Sequence, residues 1–129
     1  MAEPKWLTME MALAIQDEQL ALFGGAQGLR DQGLLENALS RPQNRFHYDP
    51  HASLFELAAA YCYGVVKNHP FMDGDKRTGL LCIQAFLVLN GYSFDPDQAQ
   101  EVTTILALAA GEVEEDQLAR WIKDNASKA

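Results

Sequence analysis

The stretch KNHPFMDGDKRTGLL, residues 67 to 81, places charged and titratable side chains directly before an apolar segment. Two interpretations fit this pattern. It is either the start of a helix that is rich in charge, or a site that holds an anion and does chemistry on it. The residues that both interpretations must explain are His69, Asp73, Asp75, Lys76 and Arg77.

The apolar segment after the cluster predicts a helix from about Asp75 to Leu89. Beyond its first turn it is apolar on nearly all sides, which favours a place in the middle of a bundle. Before the cluster, Ser53 and Glu56 form a capping-box pattern at the start of the run LFELAAAYCYGVVKN. We expect that helix to end near Asn68, because Pro70 disfavours helical geometry at the residue before it.

The rest of the chain predicts four more helices. Thr8 is a candidate cap for the first, which would run to about Phe23 and end at Gly24. Its apolar residues at helical spacing are Leu7, Met11, Ile15 and Leu22. A short second helix fits GLLENALSR and would be stopped by Pro42. The last two helices fit residues 97–109 and 114–124, the latter with Leu118, Trp121 and Ile122 buried.

No segment alternates convincingly with the period of a strand, and the final residues NASKA are expected to fray. The fold class is therefore predicted to be all-α, a compact bundle of about six helices around a central buried helix. With 129 residues, the chain is expected to form a single domain, residues 1–129.

Charge and composition exclude some classes of function. The formal net charge of −8 argues against general affinity for nucleic acid or an anionic membrane. Cys62 and Cys82 lie in apolar runs and are expected to be buried core residues in a reducing cytosol. No export signal is evident, and the longest apolar run, GLLCIQAFLVLNG, is too short to span a bilayer. We expect a cytoplasmic protein.

The cluster itself suggests an anion site at a helix N-terminus, where backbone N–H groups lack partners. Lys76 and Arg77 are disfavoured there by the helix dipole unless something negative joins them, most simply phosphate. Gly74 would let a ligand approach the backbone, Asp73 could carry Mg²⁺, and His69 is the natural general base.

A plainer interpretation stays open at this point. Asp75 is a good N-cap residue, Arg77 could pair with an acid on a neighbouring helix, and His69 could be a satisfied loop histidine.

The segment HPFMDGDKRTGL resembles the Fic/Doc motif H-x-F-x-[D/E]-[G/A]-N-x-R, and most closely its death-on-curing branch, where N-K-R-T is usual. GLRDQGLLENALSRPQ, LFELAAAY, the Tyr48 region and AAGEV also resemble that branch at matching distances. The resemblance implies a small all-α toxin of the Fic type, which uses ATP and Mg²⁺ to modify a hydroxyl on a protein target.

Each motif position then receives an implied role. His69 would accept the proton of the attacking hydroxyl, Asp73 would bind Mg²⁺, and Arg77 would hold phosphate oxygens. Gly74 and its neighbours, Lys76 included, would face the phosphates. The residues expected to support the motif are Asn68, Pro70 and Phe71, the last as an anchor in the core.

Asp75 departs from the motif, which has asparagine there and uses it to hold the phosphates. Two like unit charges about 4 Å apart repel by roughly 4 kcal/mol at an effective dielectric of about 20. Unless Asp75 recruits a cation, we therefore expect it to weaken nucleotide binding and to attenuate the enzyme.

Lys76 matches the branch associated with phosphate transfer, which favours a kinase-like reaction on a translation elongation factor. Gly74, where that branch often has alanine, keeps AMP transfer as an alternative. Many relatives carry an inhibitory helix with the motif [S/T]-x-x-x-E-[G/N]. This chain does not match that motif, because Gln32 occupies the Ser/Thr position four residues before Glu36. Inhibition of the toxin is then expected to come from a separate antitoxin, whose flexible tail would fold beside the site.

Three other hypotheses fit parts of the sequence. His47 and His51 flank Asp49 and superficially suggest a metal site, but Pro50 interrupts the helix that would align them. A metal hydrolase built on His69, Asp73 and Asp75 leaves the two basic residues unexplained. A catalytically silent binding module that keeps the fold is favoured only by Asp75.

Overall fold

A computed structural model describes residues 3–129 and contains six helices and one two-stranded sheet. The helices are α1 (Met9–Phe23), α2 (Gln32–Tyr48), α3 (Leu54–Asn68), α4 (Asp75–Leu89), α5 (Gln98–Ala109) and α6 (Glu115–Asp124). The strands β1 (Tyr92–Phe94) and β2 (Ala126–Lys128) pair antiparallel. Buried apolar side chains from all six helices form one cluster. The prediction of an all-α bundle is confirmed.

The predicted caps form. The Thr8 side chain accepts a hydrogen bond from the Met11 N–H at 3.2 Å, at the start of α1. Ser53 and Glu56 make both bonds of the capping box, at 3.1 and 3.2 Å. Helix α3 ends at Asn68, as the following X-Pro pair predicted. These boundaries depend on local chemistry, which explains why the sequence predicted them.

Helix α3, rather than α4, is the central helix. Nine of its fifteen residues are buried, including Ala58, Ala59 and Ala60, and it packs against α2, α4, α5 and α6. The small alanine side chains allow this close approach. Helix α4 is buried on several sides but leaves Val88 59% exposed.

The prediction that Pro42 stops the second helix is wrong, because α2 continues through it to Tyr48. Pro42 is buried, and the turn beyond it is held by tertiary contacts. Arg45 pairs with Glu56 on α3, and the Phe46 ring packs edge-on against Trp6 at 5.7 Å. These contacts offset the backbone hydrogen bond that proline cannot donate.

Two further expectations are corrected. Met11 and Leu22 are 40% and 73% exposed, so they do not form the buried face of α1. The buried positions are instead Ala12, Gln16, Gln19 and Leu20. The C-terminal residues do not fray, because β2 pairs with β1 and the Asp95 N–H donates to the Asn125 carbonyl at 3.0 Å.

Candidate functional site

The loop between α3 and α4 carries the cluster and begins with an unusual backbone conformation. His69 has φ 54° and ψ 55°, and it is the only non-glycine residue with positive φ among residues 3–129. Its N–H donates to the Val65 carbonyl at 3.1 Å, which closes the end of α3. In a residue other than glycine, such a conformation persists only where the surrounding structure holds it, and it recurs at helix C-termini and at functional sites.

The segment before α2 holds this loop. Arg30 donates from Nε to the His69 carbonyl at 2.7 Å and from a terminal nitrogen to the Asn68 carbonyl at 2.9 Å. The Pro70 carbonyl accepts from the N–H groups of Arg30 and Asp31, at 2.7 and 3.0 Å. No sequence pattern indicated this role of Arg30, because it lies 39 residues before His69.

Phe71 and Asn68, two of the residues expected to support the motif, make contacts that anchor the loop. Phe71 is 1% exposed and packs in the core. The Asn68 amide donates to the Leu34 carbonyl and to the Asn37 side chain, both at 2.9 Å. The loop is thus anchored on both sides of His69.

A buried polar network on α1 supports the other end of the loop. Gln16 donates to the Asp73 carbonyl at 2.8 Å and accepts from the Thr78 hydroxyl. Gln19 donates to Gln16 and packs against Gly74, where a Cβ would lie only 2.0 Å from its amide nitrogen. The absent side chain at Gly74 therefore makes room for Gln19. These glutamines are 2% and 1% exposed, and the sequence pattern missed them because it counted only apolar side chains.

Helix α4 begins without a side-chain cap. Its N-cap residue is Gly74, with φ 79°, so the alternative in which Asp75 caps the helix is wrong. Asp75 occupies the first helical position instead. Because no side chain caps the N–H groups of its first turn, this helix terminus can bind an anion.

The Asp75 side chain turns into the loop. It is only 3% exposed, and its Oδ1 accepts from the Phe71 N–H at 3.0 Å. Its Oδ2 lies 2.7 Å from His69 Nδ1. Burial raises the pKa of Asp75, while the Phe71 N–H, His69 and Arg30 act to lower it.

The basic side chains remain available at the surface. Lys76 and Arg77 are exposed, and neither pairs with an acid within the part of the chain that the structure describes. The Arg77 guanidinium stacks over the Phe23 ring at 4.4 Å. The structural ion pair considered for Arg77 is therefore absent from residues 3–129.

Asp73, like Lys76 and Arg77, is exposed. Its Oδ1 accepts from the Gly74 N–H at 2.8 Å, and its Oδ2 faces Gly25. No group of three or more possible metal-binding side chains occurs in residues 3–129. A single carboxylate nevertheless fits Mg²⁺, which is typically held by one or two carboxylates together with substrate phosphates and water. His47 and His51, the other pair considered for a metal, are exposed.

All of the charged residues of the cluster line one open groove with a volume of about 770 Å³. The wall formed by the loop and the start of α4, here called the motif wall, contributes His69, Asp73, Gly74, Asp75, Lys76 and Arg77. The opposite wall, called the α5 wall, contributes Glu101, Val102, Ile105, Leu106 and Ala109. Burial raises the pKa of Glu101, and the negative charges of Asp95 and Asp97 raise it further.

Cys62 and Cys82 are free and buried, as the sequence predicted. Within the described residues, no helix is both long enough and apolar enough to cross a bilayer.

Comparison with known proteins gives consistent matches. The family described as Fic/DOC matches residues 6–87. The Protein kinase doc of Escherichia phage P1 is 32% identical over 118 residues, which covers 91% of this chain and 92% of that relative. The Toxin Doc of Mycolicibacterium smegmatis is 37% identical over 90 residues, covering 66% and 69%.

Among solved structures, the N-terminal Fic domain of a putative cell filamentation protein from Bartonella quintana, with bound ADP, aligns over 73% of this chain and 48% of that one. The identity is 16% and the TM-score is 0.49, an overlap too loose to establish a shared fold by itself. The match to the family and the two sequence relatives suffice. This chain belongs to the Fic/DOC family.

Proposed function

We propose that this member of the Fic/DOC family is the toxin of a toxin–antitoxin pair. It would transfer phosphate from ATP to a hydroxyl of a protein target in the cytoplasm, and so arrest growth. The observation that carries the proposal is the motif wall, where an exposed His69 lies beside an uncapped helix N-terminus and two basic side chains that have no acid partner among residues 3–129. The names of the two relatives, a protein kinase and a toxin, agree with it.

The nucleotide would lie with its phosphates against the start of α4. The N–H groups of the first turn would donate to phosphate oxygens, and Arg77 and Lys76 would supply the positive charge. Asp73 would hold Mg²⁺, which offsets the charge on the phosphates when it is bound. The absence of a side chain at Gly74 leaves room for Gln19 beside this turn.

His69 would act as the general base. Its side chain is 58% exposed and lines the groove, so an incoming hydroxyl can reach it. The proton of that hydroxyl passes to the imidazole while its oxygen bonds to the transferred phosphorus. The electrons of the broken phosphorus–oxygen bond stay with the departing ADP oxygen.

The target is proposed to be a translation elongation factor, and control is proposed to come from an antitoxin segment that covers the groove. The α5 wall suits such a segment, because Val102 and Leu106 are 58% and 53% exposed and apolar. AMP transfer is the second candidate reaction, since Gly74 leaves the glycine-containing form of the motif intact.

The test is mass spectrometry of a cell extract incubated with the protein, ATP and Mg²⁺, with the His69→Ala variant as a matched control. A target that gains the mass of a phosphoryl group only with the wild-type protein supports phosphate transfer. A gain of the mass of an AMP group supports the second candidate. If no protein is modified under these conditions, the proposed enzyme activity is wrong and a silent binding module is favoured.

A further inference from the structure

We propose that the groove binds a helical segment of a partner protein that carries a basic residue opposite Glu101 and an acidic residue opposite Lys76 and Arg77. The inference rests on the proposed function, because this segment is the one that would cover the site. It adds the charge pattern by which the segment is recognised, and it identifies Glu101 as a residue that determines the specificity of that recognition.

The two ends of the groove carry opposite charges. At one end, the start of α4 contributes Lys76 and Arg77. The C-terminal end of α5 lies at this same end, because a Cβ added at Gly111 would be 3.8 Å from the Nζ of Lys67 in the last turn of α3. Glu101 lies eight residues before the last residue of α5, which is about 12 Å along a helix. The groove therefore runs from a basic end to an acidic end.

Three carboxylates lie close together at the acidic end. Burial raises the pKa of Glu101, and the negative charges of Asp95 and Asp97 raise it further. No Lys or Arg occurs between Arg77 and Arg120, and none of the three acids forms an ion pair within residues 3–129. A basic side chain from a partner would offset the repulsion among the carboxylates, and it would reach Glu101 directly, because Glu101 lines the groove.

Apolar side chains cover the groove between its charged ends. Leu80 and Leu81 from α4 line one side of it. Val102 and Leu106 line the α5 wall, and both are more than half exposed. Because these two residues are four positions apart, they share one face of α5. Phe23, at the end of α1, also lines the groove and is exposed. Apolar side chains of a partner would remove this surface from water and supply affinity, while the charged ends would fix the direction of the segment.

The walls favour a helix over an extended peptide as the occupant. Among the described residues, none of those that line the groove belongs to a strand. An extended peptide commonly gains its affinity from backbone hydrogen bonds to a free sheet edge, and helices offer no such edge. A helical segment satisfies its own backbone groups and presents side chains to both walls. Two turns of a helix span about 11 Å, so the acidic and basic residues of the segment are expected about seven positions apart.

The experiment is a binding titration with a pair of synthetic helical peptides. Both are alanine-based, with leucines along one face and a glutamate near one end. They differ only in whether lysine or glutamine stands about two helical turns from the glutamate. We expect the wild-type protein to bind the lysine peptide about 2- to 5-fold more tightly, the range for a partly exposed ion pair. Glu101→Gln should bind both peptides equally. Glu112→Gln, which removes an exposed carboxylate outside the groove lining, should keep the wild-type preference.

Leu106→Ala tests the apolar part of the surface. It should weaken the binding of both peptides and leave the ratio of their affinities unchanged, and an unaltered affinity would overturn the groove as their binding surface. Glu101→Gln is expected to fold, since it keeps the shape of the side chain and removes its repulsion from Asp95 and Asp97.

The inference is overturned if the wild-type protein fails to bind the lysine peptide, binds both peptides equally, or has a preference that persists in Glu101→Gln. It is also wrong if Glu101→Gln weakens the binding of Mg-ATP and leaves the peptide preference unchanged, because Glu101 then belongs to the nucleotide site. The peptides bind without any transfer of phosphate. A failure to modify a target would therefore contradict the proposed function and leave this inference standing.

Discussion

The motif wall and the α5 wall face the same groove but are held in different ways. On the motif wall, the backbone carbonyls of Asp73 and His69 are held by hydrogen bonds from Gln16 on α1 and from Arg30. On the α5 wall, Leu106 is about half exposed and contributes mainly apolar surface. Chemistry requires groups placed to within a fraction of an ångström, whereas an apolar surface needs only to be present and accessible. The predictions below test this contrast.

The largest effect is expected at His69. His69→Ala should abolish transfer or lower kcat by about 10² to 10⁴-fold, the usual contribution of a general base. The fold should survive, because the side chain is 58% exposed. Rates of target modification and a thermal melt of the same preparation measure the two quantities. Full activity in a folded His69→Ala protein would remove this residue from the mechanism.

Arg77→Ala should raise the Kd for ATP by about 10 to 100-fold, since a hydrogen bond to a charged group contributes about 1.5–3 kcal/mol. Stability should change by no more than about 1 kcal/mol, because the guanidinium stacks on Phe23 without an acid partner in the described chain. Calorimetric titration with Mg-ATP is the measurement. Arg120→Ala, outside the groove, is the control. Unaltered ATP affinity together with a large loss of stability would assign Arg77 a structural role.

The support from α1 should appear mainly as stability. Gln16→Leu leaves the Asp73 carbonyl and the Thr78 hydroxyl without their partner, so we expect a loss of about 1–3 kcal/mol in the free energy of unfolding. Gln84→Leu, at an exposed position of α4, should change it by less than about 0.5 kcal/mol. Urea denaturation measures both. Equal values would mean that the α1 network does not hold the motif wall.

The α5 wall should tolerate truncation. Leu106→Ala removes a side chain that is 53% exposed, and the free energy of unfolding should fall by less than about 0.5 kcal/mol. Leu108→Ala on the same helix removes a fully buried side chain and should cost about 2–5 kcal/mol. If both variants lost stability equally, the α5 wall would be part of the packed core and the contrast would fail.

The smallest effect is expected from Glu101. Its raised pKa means that the folded state binds its proton more tightly than the unfolded state, so stability falls as pH rises through the range above about 4.5. Glu101→Gln should therefore melt slightly higher than wild type at pH 7, and the difference should vanish below that range. Because the residue is partly solvated, the gain should stay below about 0.5 kcal/mol. Glu112→Gln, at an exposed position, is the matched control for removal of one carboxylate.

The sequence predicted those parts of the fold that depend on neighbouring residues. The caps at Thr8 and Ser53 and the end of α3 before Pro70 follow from side-chain and backbone chemistry within a few positions. The closeness of His69 and Arg77 in the sequence likewise predicted that they share one site, and both line the same groove. The roles of the motif residues in phosphate transfer remain proposals.

Tertiary structure decided what depends on contacts between distant segments. Helix α2 passes Pro42 because Arg45 and Phe46 find partners on other elements. Gln16 is buried because the motif loop offers it a carbonyl 57 residues away. The orientation of Asp75 was decided in the same way. Its carboxylate accepts a hydrogen bond from the Phe71 N–H and lies beside His69, instead of capping the helix. A polar side chain is buried where a partner replaces its water, and residue spacing alone does not reveal that partner.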